Sequence, residues 1–337
     1  MSVQLLTACL VCLAAFILYK WRERRTIART PIIIITDIGT DPDDILAIMI
    51  ACAVQKFDIL AVITTGGDTI NRGRVARRWL NIAGMDQKTL VVPDLGPGSG
   101  NTKCFVPENT PSAQESFLSV DKANDDLAAD VIVKLAREKG KELGILAIGP
   151  LTALAKACQN DPEIVQQIGF LAIQGQLKVC GDQIEPDFSS FNLREDKPAA
   201  KLVFETLQSR VPFKLLGKYA AYAVPLYKDD IKQIPNLISE VKIFLSILMN
   251  KNPKLFQALY PVSEDKIEAG SWFDDLDHVC NPYDPLLFLY FVHPSLFLQQ
   301  HHGHHTSVGN DEDNNGVENT EEIRLKLREY ASILFRK

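Results

Sequence analysis

The chain has 337 residues, of which 46% are hydrophobic and 23% are charged, a composition typical of a folded protein with a large core. Its formal net charge of −6, without a basic stripe interleaved with aromatic residues, argues against a nucleic-acid-binding surface and favours a small-molecule ligand. The seven cysteines are scattered and odd in number, which argues against a disulfide framework and indicates reduced thiols.

The N-terminal segment, residues 1–26, combines an apolar run with a basic flank. Val3 to Tyr19 are almost wholly apolar, and four basic residues follow directly: Lys20, Arg22, Arg24 and Arg25. The run is at the short end for a membrane-spanning helix. Because its positive charge follows the apolar core rather than preceding it, we predict a retained single-pass anchor that leaves the rest of the chain in the cytosol. Secretion after signal cleavage and a helix buried against the protein itself are the alternatives.

From residue 27 onward, strand-like and helical stretches alternate within what we expect to be one domain, residues 27–337. Aliphatic runs that end in polar or glycine-rich turns predict strands at Ile32 to Thr36, Ile59 to Thr64, Thr89 to Val92, Gly144 to Ile148, Ile168 to Ile173 and Phe213 to Leu216. Helical periodicity predicts helices between them at Asp44 to Val54, Ile70 to Ala83, Asp125 to Lys139 and Leu151 to Cys158. This alternation predicts an α/β fold with a mainly parallel central sheet flanked by helices.

The C-terminal third contains further helical stretches and one polar segment. An apolar helical pattern covers Leu237 to Phe256, and amphipathic spacing predicts a final helix over Thr320 to Phe335. Residues 301–319 are polar and rich in glycine and asparagine, which predicts a mobile surface loop. Its histidines could bind a metal, but the lack of a carboxylate or cysteine at ligand spacing favours a solvated loop. These histidines are His301, His302, His304 and His305.

The most informative stretch follows the first predicted strand and contains Asp37, Asp41, Asp43 and Asp44. Parallel strands open at their carboxyl ends into the crevice where α/β proteins bind ligands. Four carboxylates in one turn repel one another unless a helix N-terminus, a basic side chain or a bound cation stands among them. Oxygen ligands favour Ca²⁺ or Mg²⁺. Alternatively, the last three aspartates only cap the next helix, although one carboxylate suffices for a cap and Asp37 is then unexplained.

Four stretches, in order over about residues 31 to 300, resemble the inosine-uridine-preferring nucleoside hydrolases. Asp37 to Asp44 is similar to that family's Asp-x-Asp-Pro-Gly-x-Asp-Asp motif, with one extra residue in the turn and without the leading aspartate. Val62 to Asp68 is similar to Val-Thr-Thr…Gly-Asn, and Ile148 to Thr152 is similar to Thr-Gly-Pro-Leu-Thr. Tyr283 to Leu286 resembles the closing His-Asp-Pro motif. The resemblance implies a Rossmann-like sheet of nucleoside hydrolase type.

The resemblance also implies a Ca²⁺ ion held by Asp37, Asp44, the backbone carbonyl of Ile148, and Asp284. Ile148 replaces the family's threonine, which matters little because a carbonyl ligand does not depend on the side chain. Asp37 would also act as the catalytic base toward a metal-bound water. Tyr283 stands where purine-active members place a histidine that protonates the leaving base. A phenol is a weaker acid than imidazolium at neutral pH, so an acid role and a role as a pocket wall are both open.

Five further positions are implied to bind substrate: Asp43, Asp68, Asp182, Ser190 and Asn192. Asp43 would accept a hydrogen bond from the 2′-hydroxyl, Asn192 would contact the ribose diol, and Asp68 takes the place of a ribose-side asparagine. Ser190 stands where the family has a glutamate that holds the 5′-hydroxyl, and Asp182 stands where an asparagine shares that role. The chain therefore departs from the family at the 5′ end of the ribose.

These residues predict a Ca²⁺-dependent hydrolase that splits purine or pyrimidine nucleosides into ribose and free base, as in nucleoside catabolism. One alternative is a catalytically degenerate protein that keeps the metal and ribose pocket, suggested by Ser190 and Tyr283. Another is a haloacid-dehalogenase-like phosphotransferase with Asp37 as nucleophile, but that class expects an aspartate where the chain has Gly39. The sequence leaves homo-oligomerisation open.

Overall fold

The computed structural model describes residues 29–40, 42–85, 88–95, 127–232, 235–251, 253–276 and 279–335. The segment expected to be a membrane anchor, residues 1–26, lies outside these ranges, so the anchor stays a prediction. Within the described ranges, every helix is too short or too polar to span a bilayer.

A mainly parallel sheet forms the centre of the molecule. The described strands are β1 (Thr30–Thr36), β2 (Phe57–Thr64), β3 (Leu90–Pro93), β4 (Gly144–Ile148), β5 (Phe170–Gln174), β6 (Gln176–Cys180), β7 (Gln183–Asp187), β8 (Phe213–Leu216), β9 (Gln300–His302) and β10 (His305–Val308). The large sheet has the order β3-β2-β1-β4-β5-β8-β10-β9, and its neighbouring strands are parallel except for β10 and β9. β6 and β7 form a separate antiparallel hairpin. The predicted parallel architecture is confirmed.

Helices cover both faces of this sheet. In the described ranges they are α1 (Asp43–Ala53), α2 (Thr69–Ile82), α3 (Leu127–Lys139), α4 (Thr152–Asn160), α5 (Pro162–Val165), α6 (Phe191–Glu195), α7 (Lys197–Leu207), α8 (Lys218–Ala223), α9 (Lys228–Ile231), α10 (Pro235–Lys251), α11 (Pro253–Leu259), α12 (Glu264–Glu268), α13 (Tyr283–Val292) and α14 (Thr320–Phe335). One core contains residues of α1, α13 and α14, and the other contains residues of α3, α4 and α7.

Four consecutive isoleucines explain the central position of β1. Ile32 and Ile34 pack in one core, Ile33 and Ile35 pack in the other, and all four are 0% exposed. Successive side chains of a strand point to opposite faces, so a sheet covered on both sides favours an uninterrupted apolar run. Full burial of each isoleucine contributes about 2 kcal/mol. The carboxyl end of this firmly held strand carries Asp37.

The polar segment, residues 301–319, differs from the predicted mobile loop. Its first part belongs to β9 and β10, and β10 pairs in parallel with β8. His305 is buried, and its Nδ1 accepts a hydrogen bond from the backbone N–H of Phe213 at 3.1 Å. Burial lowers the pKa of His305 to about 4, so the ring is neutral at pH 7. A hydrophobicity pattern misses this strand because histidine occupies a core position.

Two further expectations concern the helices and the thiols. The helix predicted from Leu237 to Phe256 is divided into α10 and α11, because Pro253 cannot continue the hydrogen-bonding ladder of α10. The final predicted helix is confirmed as α14. The cysteines in the described ranges are free thiols, as expected, and burial raises the pKa of Cys158 to about 12.

Candidate active site

A cavity of about 460 Å³ opens beside the carboxyl ends of β1, β4 and β5. Asp37 follows β1, Ile148 ends β4, and Gln174 ends β5, and all three line the cavity. This volume lies within the range of about 300–1,000 Å³ that is typical of small-molecule sites. Asp37 and Ile148, both predicted to be functional, therefore lie in one crevice at the carboxyl ends of the strands, as expected for an open parallel sheet.

Three buried carboxylates converge in this cavity. Asp43 and Asp44 begin α1, Asp284 is the second residue of α13, and the two helices pack against each other. One oxygen from each of the three carboxylates lies within 4.8 Å of the others. The positive ends of two helix dipoles reduce the repulsion only in part. An oxygen-only, buried and strongly acidic donor set is the environment that a hard divalent cation prefers.

Asp37 and Ile148 are brought together by strand register. Thr36 pairs with Ile148 across β1 and β4, so Asp37 leaves β1 at the level where β4 ends. Gly149 permits this close approach, because an added Cβ would lie 2.7 Å from the Asp37 backbone nitrogen and 3.0 Å from its Oδ1. The four predicted metal ligands, Asp37, Asp44, Ile148 and Asp284, therefore line one cavity. Asp43, which the sequence assigned to the ribose, joins the carboxylate cluster.

Local hydrogen bonds fix the orientation of the acidic turn. The Thr36 hydroxyl donates to Asp44 Oδ1 and accepts from the Ile38 backbone N–H at 3.1 Å. Asp43 Oδ1 accepts from the Asp44 backbone N–H at 3.0 Å. Bonds of this kind restrict carboxylate rotamers before any ligand arrives, which lowers the entropic cost of binding.

Arg72, on α2, donates hydrogen bonds to the same acidic turn and was not singled out from the sequence. It is 0% exposed, and its Nε donates to the Gly66 carbonyl at 2.6 Å. Its Nη1 donates to the carbonyls of Asp37 and Ile38 and to the Thr40 hydroxyl. The sequence does contain a usable indication, because Arg72 occupies the core-facing stripe of α2, a position where a charge needs buried partners.

Two polar residues of the predicted ribose site are buried in the cavity lining. Asn192 donates from Nδ2 to Gln174 Oε1 at 2.9 Å. The Ser190 hydroxyl accepts a hydrogen bond from the Gln176 backbone N–H at 2.8 Å. The Ser190 hydroxyl is thus directed toward the backbone of β6.

Asp68 and Asp182, which the resemblance implies to bind substrate, are not among the residues that line the cavity. Asp68 is exposed and caps α2, where its Oδ1 accepts from the Asn71 backbone N–H at 3.2 Å. Asp182 is exposed at the tip of the β6–β7 hairpin, next to Gly181 with φ of 65°. The Asp68 carboxylate therefore caps a helix, and the Asp182 carboxylate lies on an exposed turn.

Aromatic residues complete part of the lining. The Tyr222 and Tyr283 rings meet edge to face, with centroids 5.9 Å apart and an interplanar angle of 74°. Phe191 and Tyr222 are 42% and 50% exposed, which leaves their apolar surface open to a ligand. Such rings are suited to stacking on a planar heterocycle. Phe191 and Tyr222 lie on short helices, where hydrophobic periodicity gives no indication of their role.

Two basic residues, Arg194 on α6 and Lys218 on α8, also line the cavity. The Arg194 guanidinium lies 5.6 Å from the centroid of the Phe191 ring. Lys218 Nζ lies 5.2 Å from the centroid of the Tyr219 ring. Lys218 directly follows Gly217 at the end of β8, so the carboxyl-end rule could have identified it.

The sequence matches a known family. The family model described as inosine-uridine preferring nucleoside hydrolase matches residues 32–327. The pyrimidine-specific ribonucleoside hydrolase RihA of Photobacterium profundum is 24% identical over 226 residues, which cover 63% of this chain and 67% of that relative.

Solved structures share the fold. The purine-preferring ribonucleoside hydrolase from Gardnerella vaginalis superposes with a TM-score of 0.58 at 19% identity, over 91% of this chain and 100% of that chain. The type III effector protein XopQ complexed with adenosine diphosphate ribose superposes with a TM-score of 0.68 at 22% identity, over 94% of this chain and 96% of that chain.

Proposed function

The chain belongs to the inosine-uridine preferring nucleoside hydrolase family, and we propose that it cleaves the N-glycosidic bond of purine or pyrimidine ribonucleosides with the help of bound Ca²⁺. The observation that carries this proposal is the buried cluster of Asp43, Asp44 and Asp284, whose carboxylate oxygens lie within 4.8 Å of one another. The cluster lines a cavity of suitable volume for a nucleoside. Family membership argues against the phosphotransferase alternative.

The donor set fits a calcium ion. Asp37, Asp44, the Ile148 carbonyl and Asp284 would hold it, and Asp43 lies beside them. When bound, Ca²⁺ supplies a lower pKa for a coordinated water and fixed positions for two sugar hydroxyls. Calcium is favoured over magnesium because a cluster dominated by protein carboxylates suits its larger and more flexible ligand shell.

The residues of the chain would then act on the ribose directly. Asp37 accepts a proton from the attacking water, whose oxygen forms a bond to the anomeric carbon as the carbon–nitrogen bond breaks. The departing base keeps the bonding electron pair and takes up one proton, which balances the proton that the attacking water gives to Asp37. Asp43 and Asn192 hold sugar hydroxyls, and the surrounding carboxylates stabilise positive charge that develops on the ribose ring.

The aromatic part of the cavity would receive the base. Phe191 and Tyr222 present exposed ring surface, and Tyr283 contacts the Tyr222 ring edge to face. This arrangement favours the pocket-wall role of Tyr283 over the acid role. Stacking recognises every base through its π-face, so it is compatible with either purines or pyrimidines.

A second candidate function is binding of an N-riboside without turnover. It is favoured by the Ser190 hydroxyl, which receives the Gln176 N–H where the family places a glutamate. The likeness of fold to XopQ, solved with adenosine diphosphate ribose, makes an ADP-ribose-like ligand a candidate for this role.

Incubation of the purified chain with a panel of nucleosides in Ca²⁺ separates the two functions. The hydrolase proposal expects free ribose from at least one nucleoside, and it expects that release to stop when EGTA removes the metal. Calcium-dependent ligand binding in calorimetry, without release of ribose, would support the binding function instead.

We also propose that residues 1–26 attach the protein to a membrane with the catalytic domain facing the cytosol. Support comes from the sequence alone, in the order of apolar run and basic cluster. Protease treatment of sealed microsomes tests it: the catalytic domain should be digested from outside. A protected domain, or a mature chain that starts after about residue 20, would show a translocated protein.

A further inference from the structure

Arg194 and Lys218 are positive charges in a cavity whose other charged residues are aspartates. Among the described residues, neither is within ion-pair distance of a carboxylate. The hydrogen bond that Arg194 makes is a long one, from Nη1 to the Ser189 carbonyl at 3.4 Å. Both cations therefore keep donor capacity for a ligand.

The position of Arg194 indicates which part of a ligand it would meet, and Lys218 adds a second positive charge to the lining of the same cavity. Arg194 lies two residues after Asn192 on the same short helix, and Asn192 is the residue assigned to the ribose hydroxyls. Ser190, at the start of this helix, occupies the position that the family uses for the 5′-hydroxyl. The cavity therefore carries Arg194 close in sequence to the 5′-end position and lacks the glutamate that would repel an anion there.

A neutral 5′-hydroxyl does not explain two cations. A hydroxyl is satisfied by one or two hydrogen-bonding partners, and it needs no positive charge to offset. A phosphate at the same carbon has a charge near −2 at pH 7 and would be repelled by the nearby aspartates unless cations offset that charge. The guanidinium of Arg194 is well suited to this role, because its planar donors match phosphate oxygens and its position over the Phe191 ring limits its rotation.

We propose that Arg194 and Lys218 bind a 5′-phosphate, so that the preferred substrates are nucleoside 5′-monophosphates rather than free nucleosides. This inference rests on the proposed hydrolase function and names its substrate class. Water adds through its oxygen to the anomeric carbon, the bond to the base breaks, and the base leaves with the electron pair and gains a proton. The products are ribose 5-phosphate and the free base.

The test compares uridine with uridine 5′-monophosphate, and inosine with inosine 5′-monophosphate, on the full chain in Ca²⁺. The readout is the ratio of kcat/KM for nucleotide over nucleoside, measured by release of free base. A charge-assisted hydrogen bond contributes about 1.5–3 kcal/mol, which corresponds to roughly 10- to 100-fold in this ratio. The wild-type ratio should therefore exceed about 10, and it should fall as ionic strength rises.

Variants assign the effect to the two cations. Arg194→Gln and Lys218→Gln should each lower the ratio about tenfold or more, and Arg194→Lys should retain part of it. Arg137→Gln is the matched control, because Arg137 is an exposed arginine on α3 that pairs with Asp161 at 3.0 Å and does not line the cavity. Its ratio should equal that of the wild type.

The outcomes separate the inference from the function on which it rests. Cleavage of nucleosides with a ratio at or below one, unchanged in Arg194→Gln, would overturn the phosphate site and leave the hydrolase function intact. If neither compound is cleaved, the hydrolase function fails and Kd values from calorimetry decide the phosphate site. Equal Kd values for uridine and uridine 5′-monophosphate, or a nucleotide Kd that Arg194→Gln does not raise, would then overturn it.

Discussion

The guanidinium of Arg72 donates a hydrogen bond to the backbone carbonyl of Asp37, the residue with which the acidic turn begins. The buried guanidinium also donates to the Ile38 carbonyl, so it contacts the backbone of the acidic turn at two consecutive residues. Because it donates to carbonyls of the turn, it fixes the path of the backbone there. The expectation that something positive must accompany four carboxylates is met in part by this residue.

Arg72→Met should therefore destabilise the fold and abolish activity. The substitution leaves the carbonyls of Gly66, Asp37 and Ile38 without this donor in a buried region, at a cost of about 3 kcal/mol or more. Urea unfolding measures the change. Arg74→Met, an exposed position on the same helix, is the control and should stay within about 0.5 kcal/mol of wild type. Equal effects of the two variants would show that the buried hydrogen bonds contribute little.

Asp284→Asn should eliminate both calcium binding and ribose release, because ligand charge and ligand number set Ca²⁺ affinity. Thermal unfolding with and without Ca²⁺ gives a readout that is independent of turnover. The Tm of wild type should rise on addition of Ca²⁺, and the Tm of the variant should rise little.

In EGTA the variant should be at least as stable as wild type, because loss of one clustered carboxylate relieves repulsion. Asp229→Asn, on the exposed face of α9, is the control. A full calcium response in Asp284→Asn would remove this residue from the metal site.

Gly149→Ala should slow catalysis more than it destabilises the protein. The new Cβ would lie 2.7 Å from the Asp37 nitrogen, so the Asp37 backbone must shift. A displacement of about 1 Å in a reacting group can cost roughly 100-fold in rate. Gly73→Ala on α2 serves as the control, since its nearest neighbour would be 3.4 Å away, an ordinary contact. Wild-type kcat in Gly149→Ala would show that the close approach to Asp37 is dispensable.

Tyr283→Phe distinguishes the two roles of this residue. As a wall of the base pocket, Tyr283 keeps its ring contact with Tyr222 after the change, so cleavage of a nucleoside and of a nitrophenyl riboside should fall together by a small factor. General acid catalysis is worth about 10² to 10⁴ in rate, and only the natural base needs the proton. A large loss confined to the nucleoside would therefore assign the acid role to Tyr283.

Stability should fall as the pH is lowered from about 6.5 toward about 4, in part through His305. Burial lowers its pKa in the folded state to about 4 from the ordinary value of 6.5, so the unfolded chain binds the proton first in this interval. Protonation of Nδ1 would also remove the acceptor for the Phe213 N–H. Urea unfolding at several pH values should show a shallower slope in His305→Gln. Burial also lowers the pKa of His293 and His302, so part of the slope should remain. An unchanged slope would contradict the assignment.

The sequence predicted the strands β1 to β5 and β8 and missed β6, β7, β9 and β10. An uninterrupted apolar run such as Ile32 to Ile35 is typical of a strand buried on both faces. The local pattern alone therefore predicted β1 and the strands next to it. The resemblance implied substrate roles for Asp68 and Asp182, and the structure places both on exposed turns outside the cavity lining, because the position of a turn relative to the sheet depends on contacts distant in sequence. The partners of Arg72 could not be predicted for the same reason, since Asp37 and Ile38 lie in the segment after β1 whereas Arg72 lies on α2.

The pairing of Thr36 with Ile148 has a consequence for the newly made chain. Any ion coordinated by both Asp37 and the Ile148 carbonyl needs β1 and β4 in register, and these strands are far apart in sequence. A partly synthesised polypeptide that has not yet reached β4 has the acidic turn but lacks the completed coordination shell. Calcium would therefore bind only after β1 and β4 have paired. Its binding free energy would then stabilise the folded chain and would not help these strands to find each other.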